Sequence, residues 1–566
     1  MSYIKKKDRW CVADFETKTE QFYLKYGYTE VWLYAVSNPD GEIIAKGTNI
    51  DDFMVDCSTR LKGYTIYFHN LKFDGSFIFN WLLRNGYEWC ERTNLQDIKK
   101  FSTLIGEDGA FYQITVNFYK NTRVVFLDSL KLLPFSARQI AIDFELPVLK
   151  GSIDYNNYEI TDEAWKYIYN DVIIIALALK DVKANGMLNM TTASCAYNNF
   201  MSTCFMANLL FPDLEDEFLD NWREAYRGGR SQVNPLFAGK ILNGVKRYDI
   251  NSMYPYIMHD LPLPIGKPIP IADMGEYTFE LYHLNIDFEL KEGHLPTLLK
   301  KHTGLSENSY YINSEGIIDL YISNIDFELL TRHYDILYMD IKEMYGFRTT
   351  TELFKSYIDK WYEVKTTTKG AKKQVEKLML NSLYGKFGSK NRGCVKIPYL
   401  DETGTLAFTR SDEQPMKKYY LPVAIAIVSW AHLLIDNAIV GTGYDNFVYC
   451  DTDSVHTLGY LPPDMVHQKD LGKFKLEAIE EMSRYVRQKT YIFSELHECD
   501  GKVTRDWYIT CAGMDERTKQ FALDKYGDDL INRFEKGFTV EGTKLMPEQV
   551  PGGIILRQTS FQIKED

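Results

Sequence analysis

The stretch that decides the reading is Tyr449–Ser454, YCDTDS, which follows the apolar run Phe447–Cys450. In an extended strand, side chains two residues apart project from one face. Asp451 and Asp453 are therefore expected to leave a strand end together, as two hard oxygen ligands for a divalent cation. Mg²⁺ suits such a site, because it keeps several waters and takes its remaining ligands from substrate phosphates. Asp249 ends a second strand-like run, Lys246–Ile250, which breaks into NSMYP. If the two strands are neighbours, Asp249 and Asp453 can hold two Mg²⁺ about 3.5 to 4 Å apart for an in-line phosphoryl displacement, with Asp451 in support.

Outward from this pair, KLMLNSLYGKF places Lys377, Asn381 and Tyr384 at i, i+4 and i+7 on one helix face. A cation, an amide and an aromatic ring on one face suit a nucleoside triphosphate, with Lys377 on the phosphates and Tyr384 under the base. Helical periodicity over 352–364 and 372–387, with TTTKGA between, predicts a helical hairpin that brings Lys365 towards the same phosphates. Tyr254 follows Asp249 by five residues. YRGG (Tyr226, Arg227, Gly228, Gly229) and KTY (Lys489, Thr490, Tyr491) add basic and aromatic groups suited to a nucleic-acid backbone.

A second acidic set lies in the first 190 residues. Asp14 and Glu16 alternate in DFET, Asp74 follows FHNLKF, and Asp171 lies one helical turn after Tyr167. Four carboxylates can hold two further metals, with Tyr167 positioning an attacking water.

At 566 residues the chain exceeds the roughly 250 to 300 at which one core stops growing, so several subdomains are expected. A net charge of -13 excludes bulk polyanion binding, so any nucleic-acid track must be local. The nine cysteines have no CxxC spacing, which argues against zinc or a disulfide framework. No signal peptide or lipidation motif is evident, and Leu421–Ile435 reads as a buried helix in a helix pair, with no membrane span expected. Segment 261–352 looks inserted, and Pro551–Gly553 reads as a sharp turn.

Together these strings resemble the protein-primed subgroup of family B DNA polymerases of small tailed bacteriophages. DFET, HNLKFD and YxxxD resemble its exonuclease motifs, and DINSMYP, KLMLNSLYGKF and YCDTDS resemble its polymerase motifs A, B and C. YRGG, KTY and the lysine of VLKG (Lys150) resemble its smaller ones. Met253 stands where the family usually has Leu, a volume-conserving change. The resemblance implies an α/β and α+β multidomain chain: a ribonuclease H-like 3′-5′ exonuclease domain (1–190), palm (191–260 and 423–511), fingers (353–388) and thumb (512–566). Two insertions, 261–352 and 389–422, would serve terminal-protein and DNA binding, and processivity and strand displacement.

It further implies Asp249 and Asp453 as polymerase metal ligands and Asp14, Glu16, Asp74 and Asp171 as exonuclease ligands, with Mg²⁺ (or Mn²⁺ in its place) at both sites. Lys150 would assist the exonuclease, Tyr254 would block a ribose 2′-OH, Lys365 and Lys377 would contact the nucleotide, and Lys489 and Tyr491 would hold the primer. Tyr67, His69, Asn70, Phe73 and Phe77 resemble single-strand contacts near the proofreading site. The expected partners are template and primer DNA, dNTPs and a terminal protein, for a monomer in the cytoplasm of the infected bacterial host. The place of Asp14 near the start of the sequence leaves no room for the extra leading domain of cellular relatives. A DxD glycosyltransferase would leave the first acidic set unexplained, and a replication factor with decayed sites is opposed by the presence of every expected carboxylate.

Overall fold

In the computed structural model, the described residues are 9–92, 95, 97–119, 122–300, 309–367, 370–499 and 502–564, with side chains described except at 364–372 and 499–502. The first unit is built on strand Trp10–Thr17, WCVADFET, most of whose side chains are buried because both faces of the sheet are covered. It pairs antiparallel with Val31–Ser37 and parallel with Thr65–Phe68, within an eight-stranded sheet. Helix Asp162–Ala184 lies against these strands. The Thr161 hydroxyl caps it by accepting from the Ala164 N–H, and Ala164, Ile168, Val172, Ile175, Leu179 and Val182 form its buried stripe.

The second unit is a seven-stranded sheet in the order Lys502–Cys511, Thr490–Cys499, Phe474–Arg487, Ile241–Ile250, Ser454–Thr457, Phe447–Asp451, Ser231–Val233. Behind it runs Leu421–Thr442, a single helix where a helix pair was expected. This helix is long and apolar enough to cross a membrane, yet most of it is buried inside the protein. Segment 261–352 forms its own four-stranded sheet, Leu263–Pro270, Tyr334–Thr350, Phe279–Leu290 and Ile318–Ser323, with helix Asn324–His333. Helices Lys355–Thr367 and Gly370–Phe387 form the predicted hairpin. Within 389–422, Lys396–Leu400 and Leu406–Arg410 pair as a β-ribbon whose Phe408 packs edge-on against Phe79 and Phe111 of the first unit.

The C-terminal ribbon Thr539–Val550/Gly553–Gln562 turns at Pro551–Gly552 and docks on the first unit, where the Thr29 N–H donates to the Pro551 carbonyl at 2.9 Å. Gly552 has φ +93° and a Cβ there would lie 2.0 Å from the Thr29 carbonyl oxygen, so the turn admits only glycine.

A buried ionic knot joins the seven-stranded sheet, the apolar helix and segment 261–352. Asp436 accepts from Arg230 Nη1 at 2.9 Å and Arg332 Nη1 at 2.8 Å, and lies 3.1 Å from His333 Nε2. Burial alone would raise this carboxyl, but hydrogen bonds and charge from His333 and Arg230 hold it well below the usual range. Removing Asp436 leaves the buried Arg230 guanidinium without its counter-charge. Asp436→Ala is expected to cost about 3 to 5 kcal/mol, read as an early transition in denaturant unfolding, with Asp436→Asn losing less.

Candidate active site

Strand Ile241–Ile250 brings Asp249 opposite Ser454 on one side and Lys475 on the other. The Ile250 N–H donates to the Asp453 carbonyl at 2.8 Å, so the two acids, far apart in sequence, meet at one sheet end. They face an open cleft of about 480 Å³, also lined by Tyr254, Lys377, Asn381, Tyr384, Lys475 and Glu477. Tyr254 and Tyr384 stack with ring centroids 3.9 Å apart and planes at 21°. The structure thus gathers six residues expected from the sequence. Lys365 lies on helix Lys355–Thr367, but its side chain is outside the described residues.

The expected shared face of Asp451 and Asp453 is corrected. The strand ends at Asp451, Asp451 pairs with Ser454, and Thr452 takes the left-handed conformation at φ +59°. A two-residue turn therefore replaces the strand alternation: Asp453 lines the cleft, while Asp451 forms a 3.0 Å ion pair with Lys489 and lies near enough for its charge to raise the Asp453 carboxyl. The YRGG segment supports this turn. The Thr452 N–H donates to the Arg230 carbonyl at 2.7 Å, and a Cβ on Gly229 would lie 2.8 Å from Thr452 Oγ1.

Other expected nucleic-acid contacts divide. Gly228 is exposed. Arg227 instead donates to the carbonyls of Leu299 (3.2 Å) and Tyr321 (3.0 Å), tying segment 261–352 to the segment that leads into strand Ser231–Val233. Tyr226 packs against Gly388. Thr490 is fully buried, whereas Lys489 is exposed and Tyr491 stacks on Tyr485 at 5.0 Å. Tyr67 and Phe77 are core residues, Phe77 lying under Gly553, so neither offers a face to a base here. Asn70 is exposed and Phe73 half-buried. The His69 ring nitrogens are taken by Ser129 (3.0 Å) and the Phe135 carbonyl (2.8 Å), and burial lowers its basicity.

The second centre draws together ligand oxygens of Asp14, Glu16 and Asp171, all within 4.8 Å of one another. Asp74 is buried beside them, and its carboxyl is raised well above normal by burial and by the Asp14 charge. Lys150 forms an ion pair with Asp171 and stands 5.2 Å from the Tyr167 ring centroid. The Tyr167 hydroxyl is hydrogen-bonded to that of Tyr155 at 2.9 Å, a partner the sequence reading missed because it lies in a loop without periodic pattern. Asp74 Oδ1 and Asp171 Oδ1 are buried without a hydrogen-bond partner among the described residues. Crowded acids with orphaned oxygens fit hard divalent cations. The first cleft also crowds acids together, with Glu477, at the strand irregularity between the partners of Tyr248 and Arg247, as a further one.

Two carboxylate centres, one facing a nucleotide-sized cleft and one beside a tyrosine pair, fit a phosphoryl-transfer enzyme whose acids could hold divalent cations. The chain belongs to the DNA polymerases of type B, organellar and viral, a family it matches over residues 55–157 and 154–470. It is 38% identical to the DNA polymerase of Bacillus phage phi29, over 100% of both chains. It is 34% identical to that of Streptococcus phage Cp-1, over 98% of each. Among solved structures it resembles phi29 DNA polymerase complexed with primer-template DNA and incoming nucleotide, with TM-score 0.88, 36% identity, and coverage of 99% of this chain and 100% of that one. The same score relates it to phi29 DNA polymerase complexed with single-stranded DNA. A glycosyltransferase reading finds no support in these relationships.

Burial first, then Asp171, raises Asp14 to about 7; burial first, then Asp453 and Glu477, raises Asp249 to about 7. Folded-state values above the unfolded ones stabilise the protein fully below about pH 4, and this contribution is lost as pH rises through 7. The thermal midpoint in chelator should therefore fall between pH 5 and 8 relative to that in Mg²⁺, with the gap between them widening. A gap independent of pH would separate the metal from these acids.

Proposed function

We propose that this enzyme replicates a linear phage genome by protein-primed, processive, strand-displacing DNA synthesis with 3′-5′ proofreading. Asp249 and Asp453 in one cleft, beneath the Tyr254–Tyr384 stack, carry the reading. In this assignment 1–190 is the exonuclease, 191–260 and 423–511 the palm, 353–388 the fingers and 512–566 the thumb. Insertion 261–352 would bind terminal protein and DNA, and 389–422 would serve strand displacement. The enzyme would act as a monomer in the host cytoplasm.

Asp249 and Asp453 would hold two Mg²⁺ and the exonuclease acids two more; when bound, such ions neutralise the attacking and leaving oxygens of an in-line displacement. The protein's own groups do the rest. Lys377 meets the triphosphate, Asn381 and Tyr384 line the nucleotide's seat, and the Tyr254 ring occupies the space a ribose 2′-OH would need. Lys489, held by Asp451, keeps a cation beside the primer path. At the second centre, Tyr155 fixes the Tyr167 hydroxyl so that it can orient water, and Lys150 offsets charge on Asp171.

Extension of a primed template with Mg²⁺ and four deoxynucleotides, beside the same mixture without nucleotides, tests both activities; absence of extension by folded enzyme would overturn the reading. Asp453→Ala should abolish incorporation and spare single-strand degradation, since the metal centres are separate. Asp14→Ala with Asp74→Ala should do the reverse. Tyr254→Val should admit ribonucleotides, seen as extension with rNTPs alone.

A further inference from the structure

Among the described residues, four basic side chains stand near the acids of the polymerase cleft, and two are already engaged. Lys489 is paired with Asp451 at 3.0 Å, and Arg247 lies 3.2 Å from Glu495 and 3.7 Å from Glu477. The other two, Lys377 and Lys475, line the cleft, and among the described residues neither has a carboxylate oxygen within 4.0 Å. Lys377 comes from helix Gly370–Phe387 and Lys475 from strand Phe474–Arg487, so they stand on different walls.

The orientation of Lys475 follows from register. It is the direct cross-strand partner of Asp249, and directly opposed residues of an antiparallel pair share a face of the sheet. Lys475 is therefore committed to the face on which the catalytic carboxylates stand. Its stem is half-buried, and its amine lies in the cleft without an ion pair. A compact, strongly hydrated ammonium without a fixed partner, facing a site that admits a polyanion, is suited to phosphate.

We propose that Lys475 is a further cationic ligand of the incoming nucleotide's triphosphate, gripping it from the palm sheet while Lys377 grips it from the fingers helix. The inference rests on the polymerase reading above and adds a residue to it. Pyrophosphate, which leaves from the same position, should be held by the same pair. The competing role is a counter-charge that only relieves repulsion among Asp249, Asp453 and Glu477, and the two roles predict opposite measurements.

The test uses full-length enzyme on a primer-template with a dideoxy-terminated primer, with Ca²⁺ as the cation, and reads dATP binding opposite a template thymine and Ca²⁺ binding without nucleotide. Lys475→Ala should weaken dATP about tenfold and leave Ca²⁺ affinity unchanged, with Lys475→Arg restoring most of the loss. In Mg²⁺ turnover, the KM for pyrophosphate in the reverse reaction should rise by a similar factor. Unchanged dATP affinity, with Ca²⁺ bound more tightly by Lys475→Ala, would overturn the proposal and leave Lys475 as a counter-charge. Failure of the wild-type enzyme to bind dATP would instead remove the polymerase reading itself, and this inference with it.

Discussion

Carboxylates crowded at a half-buried strand end repel one another, and the polymerase site depends on holding them together nonetheless. Asp249 and Asp453 are fixed by backbone: the Ile250 N–H to the Asp453 carbonyl, and the Thr452 N–H to the Arg230 carbonyl. Those bonds survive any change in side-chain ionisation, so the acids cannot relax apart as their charges build up. Burial first, and then this repulsion, raises both carboxyls above their ordinary range, a cost that a divalent cation is well placed to relieve.

The supporting structure reaches well beyond the cleft. Arg230 supplies the carbonyl under Thr452 and also anchors its guanidinium on Asp436, which binds Arg332 and His333 of the inserted segment. His432, hydrogen-bonded to Asp326 of the same insertion, meets the Gly228 carbonyl at 2.7 Å. The inserted sheet is thus tied by two buried acid–base contacts to the segment that shapes the catalytic turn. The first unit is joined differently, through the Pro551–Gly552 turn and the ribbon carrying Phe408.

Much of this was legible in the sequence because it is local. The DFET strand, the capped helix carrying Tyr167 and Asp171, the i, i+4, i+7 face of Lys377, Asn381 and Tyr384, and the Pro551–Gly553 turn all follow from periods of two or 3.6 and from turn chemistry. The strand-face argument for Asp451 and Asp453 does not apply because the strand stops at Asp451 and left-handed Thr452 turns the chain before Asp453. Tyr67 and Phe77 suit single-strand contacts by residue type, but both are buried, Phe77 in part under Gly553 from the far end of the chain, and such burial is not written in local sequence.

Sequence alone determined which chemistry the protein carries: two sets of acids, the tyrosines and lysines beside them, and the order in which they occur. Tertiary structure alone decided which acid of the DxD pair enters the cleft, which cations remain unpaired there, and that Glu477, Lys475 and Tyr155 belong to the centres. Residue identity and local spacing are written along the chain, whereas strand register and long-range packing arise only when distant segments compete for the same face of a sheet.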